Sequence, residues 1–163
     1  MKEIISQYAG YNLWANKRIC DTVMSLSPAQ LHHEIESSFT SIYNTLLHLW
    51  SVESVWWQRI KLVENPVWPG NGFEGSIAEL TAALLHGSKQ WHEWVEAATE
   101  AALYHEFIYR NTKREQYKQP AWQMLHHLFN HQTYHRGQLV TMLRQVGVSE
   151  VPATDLIVYW RKK

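Results

Sequence analysis

The stretch of sequence that decides the fold reads His127-Leu128-Phe129-Asn130-His131-Gln132-Thr133-Tyr134-His135-Arg136-Gly137-Gln138. It lies inside a longer segment whose apolar residues recur every three or four positions, and this period predicts an amphipathic helix. Side chains four residues apart on a helix lie on one face, about one turn from each other, so His131 and His135 should be neighbours. Two imidazoles at this spacing can bind one divalent metal ion, as in the helical HExxH motif.

The apolar stripe of this helix places both histidines where core residues are expected. Its apolar members are Met124, Leu125, Leu128, Leu139, Met142, Leu143 and Val146. Two adjacent imidazoles buried without partners would each cost roughly 1–3 kcal/mol or more. Because one metal ion would satisfy both rings, the pattern favours a metal site over a purely structural pair.

The first half of the chain is predicted to contain two long helices. The first runs from about residue 2 to residue 26, and the second from about residue 40 to the pair Asn65-Pro66, which ends it. Between them, Ser27 and Gln30 flank a proline in a capping-box pattern that predicts a short helical turn.

The second half is predicted to contain two more long helices. A capping box of Ser76 and Glu79 begins the third, which continues to about residue 101. Pro120 suits the first position of the fourth helix, and Gly147 suits the residue just after it. Residues 104–119 alternate weakly, which indicates an irregular loop or a short hairpin. Four long helices joined by short and medium connections predict an all-α fold, a four-helix bundle.

The length and net charge of the chain indicate how many domains and which kinds of partner to expect. The 163 residues are expected to form one domain, residues 1–163, and the formal net charge is zero, so neither nucleic acid nor a membrane is an expected partner. Two small basic clusters, residues 113–114 and 161–163, are interpreted as a solvated loop and a frayed end. There is no apolar run typical of a signal peptide or of a membrane span, so we expect a cytoplasmic protein.

Cysteine and tryptophan content add two further expectations. The single cysteine, Cys20, excludes an internal disulfide, fits a reducing compartment and is interpreted as a small core residue. Most of the nine tryptophans are expected in the core, whereas Trp50, Trp56 and Trp57 are candidates for a dimer interface.

A metal held by His131 and His135 requires a third donor from a facing helix. Large apolar residues flank His48 on both sides, in the segment Tyr43 to Trp50 of the predicted second helix, so His48 is the candidate. Histidines in polar turns, beside charged residues or in the irregular segment are interpreted as surface residues. These are His32, His33, His86, His92 and His105.

Four segments together resemble the DinB family over nearly the whole chain. They are Tyr11-Asn12-Leu13-Trp14-Ala15-Asn16-Lys17-Arg18, Ser41-Ile42-Tyr43-Asn44-Thr45-Leu46-Leu47-His48-Leu49, Asn130-His131-Gln132-Thr133-Tyr134-His135-Arg136-Gly137-Gln138-Leu139 and Pro152-Ala153-Thr154-Asp155-Leu156. The resemblance implies a four-helix bundle of the DinB type with crossed connections and frequent homodimers. It also implies three histidines on one divalent ion, and the chain matches the family's pattern at all three positions, His48, His131 and His135.

Three neutral imidazoles leave a fourth position open for water, which is the pattern of catalytic rather than structural zinc. A metal in such a site lowers the pKa of bound water or of a bound thiol and polarises a carbonyl group. Imidazole ligands suit zinc, nickel, copper or iron, so the identity of the metal stays open. His127, one turn before His131, is an alternative ligand or a group that contacts the site from its flank.

Two classes of function follow from this site. The first is a metal-dependent enzyme on a small molecule, and relatives of this architecture imply an S-transferase that uses a low-molecular-weight thiol. A metal-dependent hydrolase is its alternative, although Gln132 stands where HExxH has its glutamate, and Glu53 lies about 140° around the helix from His48. The second class is a non-catalytic metal-binding protein of a stress response.

Overall fold

The structure, a computed structural model, describes residues 1–161 and is mostly helical. The last two residues of the predicted frayed end, Lys162 and Lys163, lie outside the described residues. The helices are α1 (Lys2–Val23), α2 (Pro28–Leu31), α3 (Ile42–Ile60), α4 (Ile77–Ala97), α5 (Glu100–Tyr104), α6 (Ala121–Gln145) and α7 (Leu156–Trp160). The strands are β1 (Glu106–Arg110) and β2 (Gln116–Pro120).

The four long helices pack around a shared core. Helix α1 contacts both α4 and α6, and α3 contacts the same two helices. The short C-terminal helix α7 packs back on α1, where Tyr159 contacts the rings of Tyr11 and Trp14 and the Tyr11 hydroxyl donates to the Thr154 carbonyl at 2.7 Å. The side of α6 predicted to face the core does so, since Leu128 and Leu139 are both fully buried.

The core has two apolar halves with polar side chains between them. One half contains Ile19, Leu46, Leu84 and Leu143, and the other contains Trp91, Phe129 and Val95. At the level between these halves, every long helix carries a buried polar residue. These residues, called the polar layer below, are Asn12 and Asn16 of α1, Glu53 of α3, Ser88 of α4, and Gln132 and Arg136 of α6.

Both capping boxes are confirmed, at Ser27 with Gln30 and at Ser76 with Glu79, because side chain and backbone bond reciprocally at each. Gly147 is confirmed as the C′ residue of α6, because it follows the C-cap Val146 and its φ of +88° lies in the left-handed region that favours glycine.

Four predicted helix boundaries are wrong. Helix α1 ends at Val23 and α3 ends at Ile60, earlier than predicted, and the backbone after α3 turns at Leu62 with a φ of +59°. Helix α4 stops at Ala97 because Ala98 is extended and Thr99 caps the separate helix α5. Pro120 precedes α6 instead of beginning it, since it is the last residue of β2.

The segment predicted as a loop or hairpin is an antiparallel hairpin, so the fold is not purely helical. Its register pairs Glu106 with Pro120 and Arg110 with Gln116. The turn is stabilised by Asn111, whose side-chain oxygen accepts from the backbone N–H groups of Lys113 and Glu115. Among the helices of residues 1–161, none is both long and apolar enough to cross a membrane.

Candidate metal centre

The structure brings together the three histidines that the sequence singles out, here called the histidine cluster. His48 lies on α3, and His131 and His135 lie on α6, which packs against α3. The Nε2 atom of His131 is 3.1 Å from Nε2 of His48 and 3.2 Å from Nε2 of His135. One nitrogen from each ring lies within 4.8 Å of the other two, so the cluster could hold a metal ion.

The spacing of the ring nitrogens fits a small divalent ion. Two nitrogens that each lie about 2.1 Å from a tetrahedral ion are about 3.4 Å apart. The observed separations of 3.1 and 3.2 Å are close to this value, so little movement of the rings is needed. His131 Nδ1 is buried and has no hydrogen-bond partner within residues 1–161, so the polar contacts of this ring are those of its Nε2 with the other two histidines.

Contacts around the histidine cluster orient two of its rings. The His135 Nδ1 is 2.7 Å from Gln138 Oε1, and the Gln138 amide in turn donates to Ser38 Oγ at 2.9 Å. Because Oε1 can only accept, the proton is on Nδ1 and the Nε2 lone pair faces the cluster. The ring of Phe39 stacks on His48 with centroids 4.1 Å apart, which limits the rotation of that imidazole.

Burial keeps the cluster histidines neutral at physiological pH. Burial, and then the proximity of His135, lowers the pKa of His48 to about 4. Burial, followed by the neighbouring histidines, lowers the pKa of His131 to about 3, and burial also lowers the pKa of His135. The neutral imidazole is the form that coordinates a metal, so the environment prepares all three rings for this role.

A cavity of about 370 Å³ adjoins the cluster and is called the histidine cavity below. His48 lines it together with Phe39, Leu47, Ser51 and Trp68. Its volume and mixed apolar and polar walls are typical of a site for a small molecule.

The other histidines lie apart from the cluster. His127 is exposed, and its ring centroid is 6.0 Å from that of His131 and 5.6 Å from that of Trp56, so it flanks the cluster instead of completing it. His92 is half-buried near Glu96. The remaining histidines interpreted as surface residues are exposed, and they are His32, His33, His86 and His105.

Sequence reasoning missed the polar layer next to the cluster. The Glu53 carboxylate is fully buried and accepts hydrogen bonds from Asn12 Nδ2 at 2.9 Å and from the Ser88 hydroxyl at 2.9 and 3.0 Å. Burial raises the pKa of Glu53 to about 7, against the hydrogen bonds and the positive charge of Arg136, which lower it. These partners occupy the carboxylate, so Glu53 is a structural group and not a general base for the cluster.

The polar layer also ties together the two segments that carry the cluster. Arg136 is 1% exposed and donates to the side-chain oxygens of Asn12 at 2.6 Å and Asn16 at 2.9 Å. Gln132, next to His131, donates to the backbone carbonyl of Leu49, next to His48, at 2.9 Å. The signal that could have revealed this layer is the spacing of four residues between Asn12 and Asn16 on α1 and between Gln132 and Arg136 on α6.

Two of the tryptophans proposed for an interface have aromatic packing partners within this chain. Trp56 is 8% exposed and packs against Tyr109 and His127, and Trp57 packs edge-on against Trp91. Trp50 is half-buried beside Phe73. Cys20 is buried as expected, and burial raises the pKa of its thiol to about 12.

Comparison with known proteins gives one consistent answer. The model of the DinB family matches residues 1–162. Protein DinB of Bacillus subtilis (strain 168) is 28% identical over 167 aligned positions, which cover 91% of this chain and 89% of that protein. The crystal structure of a DinB-like protein from Bacillus cereus ATCC 10987 superimposes with a TM-score of 0.72 at 20% identity, over 93% of this chain and 95% of the other. The last similarity concerns the fold alone.

Proposed function

This chain belongs to the DinB family, and we propose that it is a metal-dependent transferase that joins a low-molecular-weight thiol to a small electrophilic molecule. The observation that carries the proposal is the convergence of three neutral imidazole nitrogens beside a cavity of small-molecule size. We assign His48, His131 and His135 as the ligands of one divalent ion, with zinc, nickel, copper or iron all compatible with imidazole.

The chain supplies positioning, and the metal supplies the activation. A bound divalent ion lowers the pKa of a coordinated thiol, so that the thiolate is present at neutral pH. Gln138 holds His135 with its Nε2 towards the other two histidines, and Phe39 stacks on the His48 ring and limits its rotation. The histidine cavity would hold the electrophile next to the sulfur. There the new sulfur–carbon bond would form as the bond from that carbon to its leaving group breaks, and the leaving group and the thiol proton would pass to solvent.

The surroundings of the cluster support a transferase over a hydrolase. Within residues 1–161, the group of donors that could hold the ion consists of histidines and includes no carboxylate. Gln132 is directed to the Leu49 carbonyl and to Asn16, and Glu53 is bonded inside the polar layer. A hydrolase would benefit from a general base beside metal-bound water, and neither side chain is available for that role.

The proposal also covers the helix arrangement, the oligomeric state and the cellular location. Helices α1 and α3 each contact α4 and α6, which supports a four-helix bundle in which α1 and α3 are diagonal and the connections cross. We further propose one domain, a homodimer and a cytoplasmic location, the last supported by a buried, unpaired cysteine.

The proposal is tested with protein loaded in turn with zinc and nickel. Cysteine, glutathione and coenzyme A are each offered with monochlorobimane or 1-chloro-2,4-dinitrobenzene, and conjugation is followed by fluorescence or absorbance. We expect turnover above the metal-free protein, loss of that turnover in His135→Ala, and wild-type turnover in the matched control His105→Ala, which removes an exposed histidine. If no pair exceeds the metal-free rate, the non-catalytic metal-binding function replaces the transferase.

A further inference from the structure

A second polar cavity lies beside the histidine cavity, and its charge is strongly positive. It measures about 310 Å³ and is called the arginine cavity because Arg59, Arg110 and Arg114 line it. Glu64 is the acidic residue in its wall. Within residues 1–161, no carboxylate lies within 4 Å of the three guanidinium groups, so their charges are free for a ligand.

Arg59 is held in place before any ligand arrives. Its guanidinium carbon lies 4.5 Å from the ring centre of Trp56 and 5.3 Å from that of Tyr109. One terminal nitrogen donates to the Arg110 carbonyl at 3.1 Å, while the buried Nε has no partner in the described part of the chain. A guanidinium that is fixed by stacking in the wall of a polar cavity is a preformed site for an oxyanion, since guanidinium geometry matches carboxylate and phosphate.

The hairpin adds a second charge to this cavity from an unusual backbone position. Arg114 has a φ of +64°, in the left-handed region that glycine adopts without steric cost. Its backbone N–H donates to the Asn111 carbonyl at 3.0 Å, so the turn holds the residue there. An arginine at a glycine-favouring position is informative, because strained residues concentrate where the side chain has a function.

The arginine cavity is aligned with the histidine cluster along α3. Arg59 follows His48 by eleven residues, which is about 16 Å along the helix axis and within about 20° of the same face. Trp68 lines both cavities, and Val55 lies between the two residues on α3 and lines the arginine cavity. The two cavities therefore share Trp68 in their walls and lie along the same side of α3.

We propose that the arginine cavity binds an oxyanion group, carboxylate or phosphate, at one end of the small substrate whose other end reaches the histidine cluster. The inference rests on the proposed function and specifies its substrate class, an elongated thiol with an anionic group on the order of 10–15 Å from the sulfur, given the helical spacing.

The first test measures the oxyanion site without any metal. Metal-free protein is titrated with octanoate, octyl phosphate and neutral octanol while the arginine Nε–H signals are followed by nuclear magnetic resonance. We expect the Arg59 signal to shift with an oxyanion and not with octanol, and the stronger of the two anions identifies the group. No shift, or an equal shift with octanol, overturns the inference.

Variants localise that binding. Arg114→Gly removes one positive charge, and glycine readily adopts the left-handed backbone conformation of that turn. Arg59→Gln removes the charge of the guanidinium that stacks on Trp56. Each should weaken oxyanion binding about tenfold, the loss expected for one charge-assisted hydrogen bond. Arg144→Gln, an exposed residue near the end of α6, is the matched control and should bind as the wild type does. Wild-type affinity in both cavity variants would overturn the assignment.

The second test connects the two cavities. Cobalt-loaded protein is titrated with mercaptocarboxylates of three, six and eleven carbons and with the corresponding mercaptoalcohols, and the thiolate-to-cobalt absorption band is measured. We expect the carboxylate to bind better than the alcohol only in the longer compounds, by about tenfold, and Arg59→Gln to abolish the difference.

The outcomes separate the two proposals. If each mercaptocarboxylate and its mercaptoalcohol give cobalt bands of equal strength, the proposed oxyanion site is wrong. The proposed binding of the thiol to the metal is unaffected by that result. The absence of any cobalt band, together with an Arg59 shift by octanoate, refutes the thiol transferase and supports the oxyanion site alone.

Discussion

Gln138 is the residue whose replacement tests most directly how this fold prepares its metal centre. Its Oε1 accepts from His135 Nδ1 at 2.7 Å, and this contact raises the pKa of His135 against the lowering by burial. Gln138→Leu keeps similar bulk and removes the acceptor. The ring of His135 then becomes a weaker base and is free to rotate away from His131.

The expected loss of metal affinity can be estimated from other proteins in which a side chain orients a metal ligand. Removing such a side chain lowers the metal affinity roughly 10–100-fold, or by about 1.4–2.7 kcal/mol. Gln138 is half-buried and its acceptor is uncharged, so we expect the lower end, about tenfold. Gln138→Glu should act in the opposite direction, because a carboxylate raises the basicity of the histidine that it accepts from.

The assay is a titration with zinc in competition with a chromophoric chelator, alongside circular dichroism to verify helical content. Gln123→Leu, an exposed glutamine in the first turn of α6, is the matched control, and Ser38→Ala removes only the outer hydrogen bond. Both should bind zinc within about twofold of the wild type. If Gln138→Leu also stays within twofold while His135→Ala loses the metal, the orienting role is wrong.

Three further predictions concern the cluster and the polar layer. His131→Ala should abolish stoichiometric metal binding in calorimetry and leave the helices intact, whereas His127→Ala should bind normally, and a loss there would make His127 a ligand. The pKa of His131 is about 3 in the folded protein, below the value of about 6.5 in the unfolded chain. Between pH 6.5 and pH 3 the unfolded chain therefore binds more protons than the folded protein, and the metal-free fold loses stability as the pH falls. Bound metal should therefore remain after dialysis at pH 6 and leave as pH approaches 4, and metal analysis showing loss already at pH 6.5 would contradict the assignment. Glu53→Ala leaves the Asn12 amide and the Ser88 hydroxyl without their buried acceptor and should lower the free energy of unfolding, measured in urea, by about 2–6 kcal/mol. The exposed Glu93→Ala should lower it by less than about 1 kcal/mol, and equal effects would refute the role of the polar layer.

Much of the candidate site could be predicted from local sequence. The pair His131 and His135 follows from helical period, and the burial of the neighbouring Leu128 and Leu139 confirms the phase of that helix. The capping boxes at Ser27 and Ser76 were equally readable, because a cap depends on residues within one turn. These features are local, and the chain needs no distant contact to specify them.

The boundaries that failed depend on contacts beyond one turn. Pro120 has the chemistry of a first helical residue, yet pairing with Glu106 makes it the end of a strand. Helix α3 stops before Asn65, where the Gln58 side chain bonds the backbone of Val67 in both directions at 2.8 Å. In each case a tertiary hydrogen bond outweighed a local preference, since local propensities are worth only about 1 kcal/mol or less.

The sequence by itself determined which histidines could serve as ligands, because spacing on a helix and apolar flanks are properties of neighbouring residues. Only the tertiary structure decided that His48 meets the α6 pair at about hydrogen-bond distance, since that depends on which faces of α3 and α6 pack together. It also decided that Glu53 is bonded to α1 and α4 inside the polar layer, and that the hairpin brings Arg114 to the same cavity as Arg59. These contacts join residues far apart in the chain, and the physical reason is packing: a side chain's partner across the core is specified by the whole fold and by no local pattern.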